Sequence, residues 1–227
     1  MKIGGLLKLT LLDFPGKTAC TVFTCGCNFR CPFCHNATLV RGEGENISEA
    51  EFFAFLAKRQ GMLDGVAITG GEPLMHPQIE DFIKKIREMG FLIKLDTNGS
   101  YPERLKKLVA EGLIDYVAMD IKASPENYKK ASGADVPMDK IRDSVSFLLS
   151  GAVDYEFRTT VADGAVSPED FESIGKWIEG APRYYLQGFV DSGDILGEDV
   201  GAYSKEQMTA FLETVKKYVP AAELRGV

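Results

Sequence analysis

Residues 65–100 read GVAITGGEPLMHPQIEDFIKKIREMGFLIKLDTNGS, and this stretch decides the fold. A short β-branched run from Val66 to Thr69 is followed by a glycine break and an amphipathic segment from about Pro77 to Met89. A second apolar run, Leu92 to Asp96, comes next. Strand, helix and strand in this order predict a parallel unit with a right-handed crossover.

The same alternation continues on both sides of this stretch and makes six strand-then-helix units along the chain. Eight units close a full barrel, so six predict an open one. We therefore predict an α/β fold, a partial (β/α)6 TIM-like barrel with a parallel sheet, in a single domain over residues 1–227. A flat doubly wound sheet is the competing fold. The remaining predicted strands are Ala19 to Thr24, Tyr116 to Ile121, Tyr155 to Val161 and Tyr184 to Phe189, and the remaining helices are Ser48 to Gln60, Pro102 to Glu111, Met138 to Ser150, Pro168 to Ile178 and Ser204 to Tyr218.

The composition is that of an ordinary globular protein, with 45% apolar and 26% charged residues. Lysine and arginine total 26 against 33 aspartates and glutamates, and the net charge of −7 gives no general attraction for nucleic acid or an anionic membrane. No apolar run is long enough to span a bilayer, and the first residues lack the apolar segment of a signal peptide. We expect a cytoplasmic protein without nucleic-acid or membrane partners.

All five cysteines lie between Cys20 and Cys34, a clustering that favours metal or redox chemistry over a disulfide scaffold. Three of them form a C-x3-C-x2-C pattern: Cys27, Cys31 and Cys34. Three thiolates on one short loop can reach three irons of a cubane cluster and leave the fourth iron open to a substrate. A zinc site and buried inert cysteines are the alternatives, although a zinc site usually needs four ligands and His35 is poorly spaced to supply one.

Further polar motifs follow the other predicted strands. The carboxyl ends of parallel strands share one face of the fold, so we expect these groups to point towards one mouth. The motifs are Gly70-Gly71-Glu72-Pro73, Asp96-Thr97-Asn98-Gly99, Asp120 with Lys122, Arg158 and Gln187.

The segment from Gly26 to Asn36, GCNFRCPFCHN, strongly resembles the cluster loop of radical S-adenosylmethionine enzymes. The preceding LLDFPGK from Leu11 to Lys17, with FRTTV from Phe157 and YYLQ from Tyr184, resembles the activases of glycyl radical enzymes, in particular those of anaerobic ribonucleotide reductase. Pyruvate formate-lyase activases are similar. The resemblance implies a [4Fe–4S] cluster on Cys27, Cys31 and Cys34, and S-adenosylmethionine as the second cofactor.

The resemblance also implies roles for single residues at the cofactor. Phe33 would lie beside the adenine, and Gly70 and Gly71 would bring backbone close to the methionine amino group while Glu72 fixes the turn. Asn98 would lie near the ribose or methionine, and Arg158 would contact the ribose or carboxylate. The alternatives are a plain turn for the glycine segment and a solvent-facing charge for Arg158.

A monovalent cation near the methionine carboxylate is the implied ligand of Asp96, Thr97 and Asp120, and activity would then depend on potassium or sodium. Lys122 either offsets the acids, meets the methionine carboxylate or is solvated. Without the resemblance, Asp-Thr-Asn-Gly is most often a turn.

The implied function is that of an oxidoreductase that reductively cleaves S-adenosylmethionine, whose deoxyadenosyl radical takes a hydrogen atom from a glycine of a partner enzyme. Anaerobic ribonucleotide reductase is favoured as the partner, and no protein general base is needed. Electrons would come from an external donor such as flavodoxin or ferredoxin, since there is no second cysteine cluster. The alternatives are a pyruvate formate-lyase-like or other partner, a small-molecule substrate, or a non-catalytic iron–sulfur or zinc protein.

Two features depart from this pattern. Cys25 forms an unexpected Cys25-Gly26-Cys27 doublet and is a possible alternative ligand, whereas Cys20 is expected in the core. The stretch from Gly188 to Asp194 is not basic where a basic segment is expected, which leaves partner contacts at that rim open.

Overall fold

A computed structural model describes all residues from Met1 to Val227. Its strands are β1 (Ile3–Thr10), β2 (Ala19–Thr24), β3 (Gly65–Gly70), β4 (Leu92–Thr97), β5 (Tyr116–Asp120), β6 (Asp154–Asp163), β7 (Tyr184–Gly188), β8 (Gly201–Ala202) and β9 (Ala222–Arg225). Its helices are α1 (Ala37–Arg41), α2 (Glu49–Ala57), α3 (Ile79–Glu88), α4 (Pro102–Ala110), α5 (Tyr128–Ser132), α6 (Met138–Leu149), α7 (Asp170–Trp177) and α8 (Lys205–Lys216).

The strands form a mostly parallel sheet. Strands β2, β3 and β4 run parallel to one another, as do β6, β7 and β9. Strand β1 pairs antiparallel with β2, and the short β8 pairs antiparallel with β6. The hydrogen-bonded order is β1-β2-β3-β4-β5-β6-β7-β9. The predicted α/β class with a parallel sheet is therefore confirmed.

The residues group into two compact units, which are described separately below, and the single domain over residues 1–227 stays a prediction. The first unit comprises Met1–Asn28, Thr38–Thr97 and Tyr101–Val117, and the second comprises Phe29–Ala37, Asn98–Ser100 and Ala118–Val227.

All six predicted strands and all six predicted helices are present, with ends that differ by a few residues. The predicted capping box opens helix α2: the Ser48 hydroxyl accepts from the Glu51 amide at 3.2 Å, and the Glu51 carboxylate accepts from the Ser48 amide at 2.8 Å. Helix α3 buries Ile79, Phe82 and Ile83 at helical spacing. Local sequence signals therefore located these elements correctly.

Strand β1 was not predicted, and its sequence explains why. Ile3 is buried, but Leu7 and Leu9 are about half exposed, at 46% and 58%. An edge strand has a neighbour on one side only, so it lacks the continuous buried run that marks the central strands. The short elements β8, β9, α1 and α5 were likewise not predicted.

None of the helices is both long and apolar enough to cross a membrane.

Candidate active site

The cysteine segment forms an irregular loop between β2 and α1. None of its thiols is in a disulfide. In the second unit, the Cys34 amide donates to the Cys31 carbonyl at 3.1 Å, which folds the two cysteines into a turn around the buried Phe33. Cys27 is half-buried and belongs to the first unit. The loop carries donor atoms of the right kind, because soft thiolates are the ligands that iron–sulfur clusters take.

Backbone contacts of the second unit hold the middle of this loop. The Arg30 amide donates to the Ser132 carbonyl at 2.8 Å, and the Gly197 amide donates to the Pro32 carbonyl at 2.9 Å. Gly133 lies so close that a Cβ there would be 2.1 Å from the Arg30 carbonyl oxygen, and its φ of +62° also favours glycine. The turn that carries Cys31 and Cys34 is thus held by hydrogen bonds on both sides.

The other two cysteines are packed in apolar surroundings. Cys20 is fully buried in β2, and burial raises the pKa of its thiol to about 12, as expected for an inert core residue. Cys25 is 5% exposed, and its Sγ faces Gly4, where an added Cβ would lie 2.5 Å away. The Cys25 thiol is therefore used in packing against β1.

The glycine segment after β3 lies against the start of the cysteine loop. A Cβ on Gly71 would be 1.8 Å from the Gly26 carbonyl oxygen, and a Cβ on Gly70 would be 2.3 Å from the Thr24 amide nitrogen. The Glu72 amide donates to that Gly26 carbonyl at 2.9 Å. These glycines are required by a close approach of two backbones, in addition to any contact with a cofactor.

The buried carboxylate of Glu72 fixes this turn, as the sequence predicts. Its Oε1 accepts from the Leu74 amide at 2.9 Å and from the Thr97 hydroxyl at 2.9 Å. Glu72 and Thr97, at the ends of neighbouring strands, are thus brought together in the first unit.

Asp96 has an ion-pair partner that sequence reasoning missed. The ammonium of Lys94 donates to the Asp96 carboxylate, and the two side chains emerge from the same face of β4 because they are two residues apart. The Lys94 side chain is only 2% exposed and that of Asp96 15%. The lysine inside the apolar run LIKLD could have indicated this ion pair, since a buried ammonium needs a counter-charge.

Asn98 belongs to a tight turn of the second unit. Its Oδ1 accepts from the Ser100 amide at 3.0 Å and from the Ser100 hydroxyl at 2.6 Å, while the Ser144 hydroxyl donates to the Gly99 carbonyl at 2.7 Å. The turn expected of Asp-Thr-Asn-Gly is present, and a contact of Asn98 with the ribose or methionine stays a prediction.

Asp120, Lys122 and Arg158 form one cluster in the second unit. The Arg158 Nε donates to the Asp120 carboxylate at 2.9 Å and the Lys122 Nζ donates to it at 3.0 Å, and both cationic side chains are 14% exposed. Burial alone would raise the pKa of Asp120, but Arg158 and Lys122 outweigh it and lower that pKa to about 2. Two cations against one acid leave this cluster with a net positive charge.

Lys122 also interacts electrostatically with the cysteine loop of its unit. Burial would lower the pKa of its ammonium, but the attraction of Asp120 and then of the Cys31 thiolate raises it well above the ordinary range. Lys122 is therefore a charged, mostly buried residue, and the alternative of a solvated lysine is excluded.

A second cationic group, not predicted from the sequence, lies on the strands that follow. The Arg225 guanidinium is 3.2 Å from the centroid of the Tyr185 ring, and it donates to the buried Glu156 at 3.1 Å. Arg225 pairs in register with the predicted Gln187 across β7 and β9. Glu156 and Arg225 are 69 residues apart, so no local signal connected them.

The chain belongs to the radical SAM superfamily, whose family model matches residues 21–178. It is an enzyme, and its cofactors are a [4Fe–4S] cluster and S-adenosylmethionine, while the residues assigned to hold them stay predictions.

Similar proteins include activases. A putative glycyl-radical enzyme activating enzyme of Methanocaldococcus jannaschii is 29% identical over 99% of this chain and 96% of its own length. A pyruvate formate-lyase-activating enzyme of Clostridium pasteurianum is 32% identical over 58% of this chain and 57% of its own. A crystal structure of a domain of the corresponding enzyme from Bacteroides vulgatus shares the fold, with a TM-score of 0.59, 19% identity and coverage of 71% of this chain and 99% of that one. The expected resemblance to activases of glycyl radical enzymes is confirmed.

Proposed function

We propose that the protein generates a glycyl radical on a partner enzyme, most specifically on an anaerobic ribonucleotide reductase. The carrying observation is the C-x3-C-x2-C loop of Cys27, Cys31 and Cys34, whose three thiolates would hold three irons of a cubane and would leave the fourth to S-adenosylmethionine. The Methanocaldococcus relative, aligned over almost the whole chain, supports the activase assignment. The cluster and S-adenosylmethionine together supply the one-electron chemistry that removes a hydrogen atom from a glycine.

The positive cluster of the second unit supports binding of an anionic group. Arg158 and Lys122 hold Asp120 between them, and these two cationic side chains would attract the carboxylate of a bound methionine moiety. Asp120 keeps both cations in place and charged, so it acts as a positioning residue. Asn98, locked in its turn, would then present a polar group towards the ribose.

In the first unit the glycine segment supports binding through backbone. Gly70 and Gly71 keep this backbone uncovered by side chains, and Glu72 holds the turn from within. A hydrogen atom leaves the glycine without transfer of a proton, so no side chain has to act as a general base.

Electrons for this reaction would come from a separate protein, such as flavodoxin or ferredoxin. All five cysteines lie between Cys20 and Cys34, and two of them, Cys20 and Cys25, are packed away. The chain therefore has no second set of thiols to hold an electron-relay cluster.

The test is an anaerobic activation assay. The reduced, cluster-loaded protein is mixed with S-adenosylmethionine and a candidate reductase, and the electron paramagnetic resonance spectrum is recorded. We expect a glycyl doublet that is absent when the reductase glycine is changed to alanine, and that is also absent with the Cys31→Ala activase as a matched control.

Two other results would change the assignment. A doublet on a pyruvate formate-lyase-like enzyme but not on a reductase would replace the partner and keep the activity. Release of methionine and 5′-deoxyadenosine without a glycyl radical on any candidate would indicate a small-molecule or other peptide substrate.

A further inference from the structure

The ion pair of Lys94 and Asp96 is unusual for its position. Lys94 lies in the middle of β4, where its neighbours Ile93 and Leu95 are fully buried, and its own side chain is 2% exposed. A lysine is found in such surroundings only with a counter-charge, and Asp96 supplies it. The pair is therefore built into the strand and is not a surface contact.

Asp96 is also one of the three residues that the resemblance to activases implies as ligands of a monovalent cation. A cation is needed there only if a carboxylate carries charge that nothing else balances, because bare carboxylates repel a bound carboxylate. In the first unit, the ammonium of Lys94 already balances the charge of Asp96.

The third residue of the expected cation site, Asp120, has even less need of a metal ion. Arg158 and Lys122 give its cluster two positive charges against one negative charge. A monovalent cation placed on Asp120 would face two like charges at hydrogen-bond distance from the same carboxylate. In each unit, taken by itself, the donor set does not fit a bound sodium or potassium ion.

We propose that the ammonium of Lys94 takes the place of the monovalent cation at Asp96, so that the enzyme binds S-adenosylmethionine without sodium or potassium. Lys94 is a positioning residue: it neutralises Asp96 and holds its carboxylate on the site-facing side of β4. The proposal rests on the assignment of Asp96 to the cofactor site, but not on the identity of the partner enzyme.

The test compares cation dependence in the cluster-loaded protein. The affinity for S-adenosylmethionine is measured by anaerobic equilibrium dialysis in potassium, sodium and choline chloride at equal ionic strength, and Tm is measured in the same buffers. For the unchanged protein we expect the same affinity, within about twofold, in all three salts, because Asp96 and Asp120 each already have a cationic side chain as counter-charge.

Lys94→Met keeps the unbranched stem of the side chain, one atom shorter, and removes its charge, so Asp96 should then recruit an ion. We expect affinity at least about tenfold lower in choline than for the unchanged protein, with much of the loss restored by potassium or sodium. Lys94→Arg, which keeps the charge, should remain independent of the salt. Lys176→Met, which breaks an exposed ion pair with Glu172, is the matched control and should change neither quantity.

The double variant Lys94→Met with Asp96→Asn distinguishes charge balance from simple packing. It removes both charges, so it should be as independent of the salt as the unchanged protein. Two results would overturn the proposal. One is an unchanged protein that binds S-adenosylmethionine about tenfold more tightly in potassium than in choline. The other is a Lys94→Met variant whose affinity for S-adenosylmethionine does not depend on the salt. If Lys94→Met does not fold, the salt series on the unchanged protein decides alone. None of these measurements involves a glycyl radical. The proposal about Lys94 can therefore be refuted while the proposed activation of a partner enzyme stands, and the proposed activation can be refuted while the proposal about Lys94 stands.

Discussion

Gly71 lies against the backbone that leads into the cysteine loop, and Gly71→Ala tests how strictly this approach requires glycine. A Cβ at this position would lie 1.8 Å from the Gly26 carbonyl oxygen and 3.2 Å from the Cys27 nitrogen. Ordinary contact begins at 3.4 Å, so one backbone would have to retreat by 1.6 Å (3.4 minus 1.8). Both partners are main chain, and neither can swing aside as a side chain would.

The expected cost of this substitution follows from overpacking. Extra volume in a well-packed region costs about 1–3 kcal/mol. For a chain of this length each kcal/mol lowers Tm by about 2–4 °C, which gives a fall of about 2–12 °C. Displacement of Gly26 also moves the adjoining Cys27, so we expect less iron per chain after reconstitution.

Calorimetry and iron analysis under anaerobic conditions measure both effects. Gly5→Ala is the matched control, since a Cβ there would meet its nearest atom, in the Phe23 ring, at 3.6 Å, an ordinary contact. We expect a change of less than about 0.5 kcal/mol for this control. A Gly71→Ala protein with unchanged Tm and a full complement of iron would refute the steric reasoning.

Three further predictions concern the thiols and the charged cluster. Cys27→Ala should lose or degrade the cluster, whereas Cys25→Ala should keep it because its thiol is used in packing; iron analysis that shows the reverse contradicts the ligand assignment. Arg158→Ala should remove the expected charge-assisted hydrogen bond between Arg158 and S-adenosylmethionine, which is worth about 1.5–3 kcal/mol. Equilibrium dialysis should then show an affinity for S-adenosylmethionine that is lower by about 10- to 150-fold, with partial recovery in Arg158→Lys. Asp120 has a pKa lowered from 3.8 to about 2, so its ionised form stabilises the fold fully above pH 4 and this stabilisation is lost as the pH falls towards 2. Urea unfolding should therefore show a gap between the unchanged protein and Asp120→Asn that narrows over that range, and a gap that stays constant would show that Arg158 and Lys122 do not depress this pKa.

Much of the fold could be predicted because its signals are local. The apolar runs of β2 to β7 and the amphipathic helices between them are readable within a window of about a dozen residues. The capping sequence Ser48-Glu51 marks the start of α2 in the same way. The edge strand β1 was missed because its exposed leucines, Leu7 and Leu9, give no buried run.

The sequence by itself determined the class of chemistry, because Cys27, Cys31 and Cys34 carry their ligand chemistry within eight consecutive residues. Tertiary structure alone decided how the charges are balanced. Asp120 and Arg158 are 38 residues apart and meet only because β5 and β6 place them there. Lys94 and Asp96 are near in sequence, yet only burial of the Lys94 stem turns its ammonium onto the carboxylate instead of into water. Charge pairing depends on distance and burial, and neither quantity is contained in the order of residues along a chain.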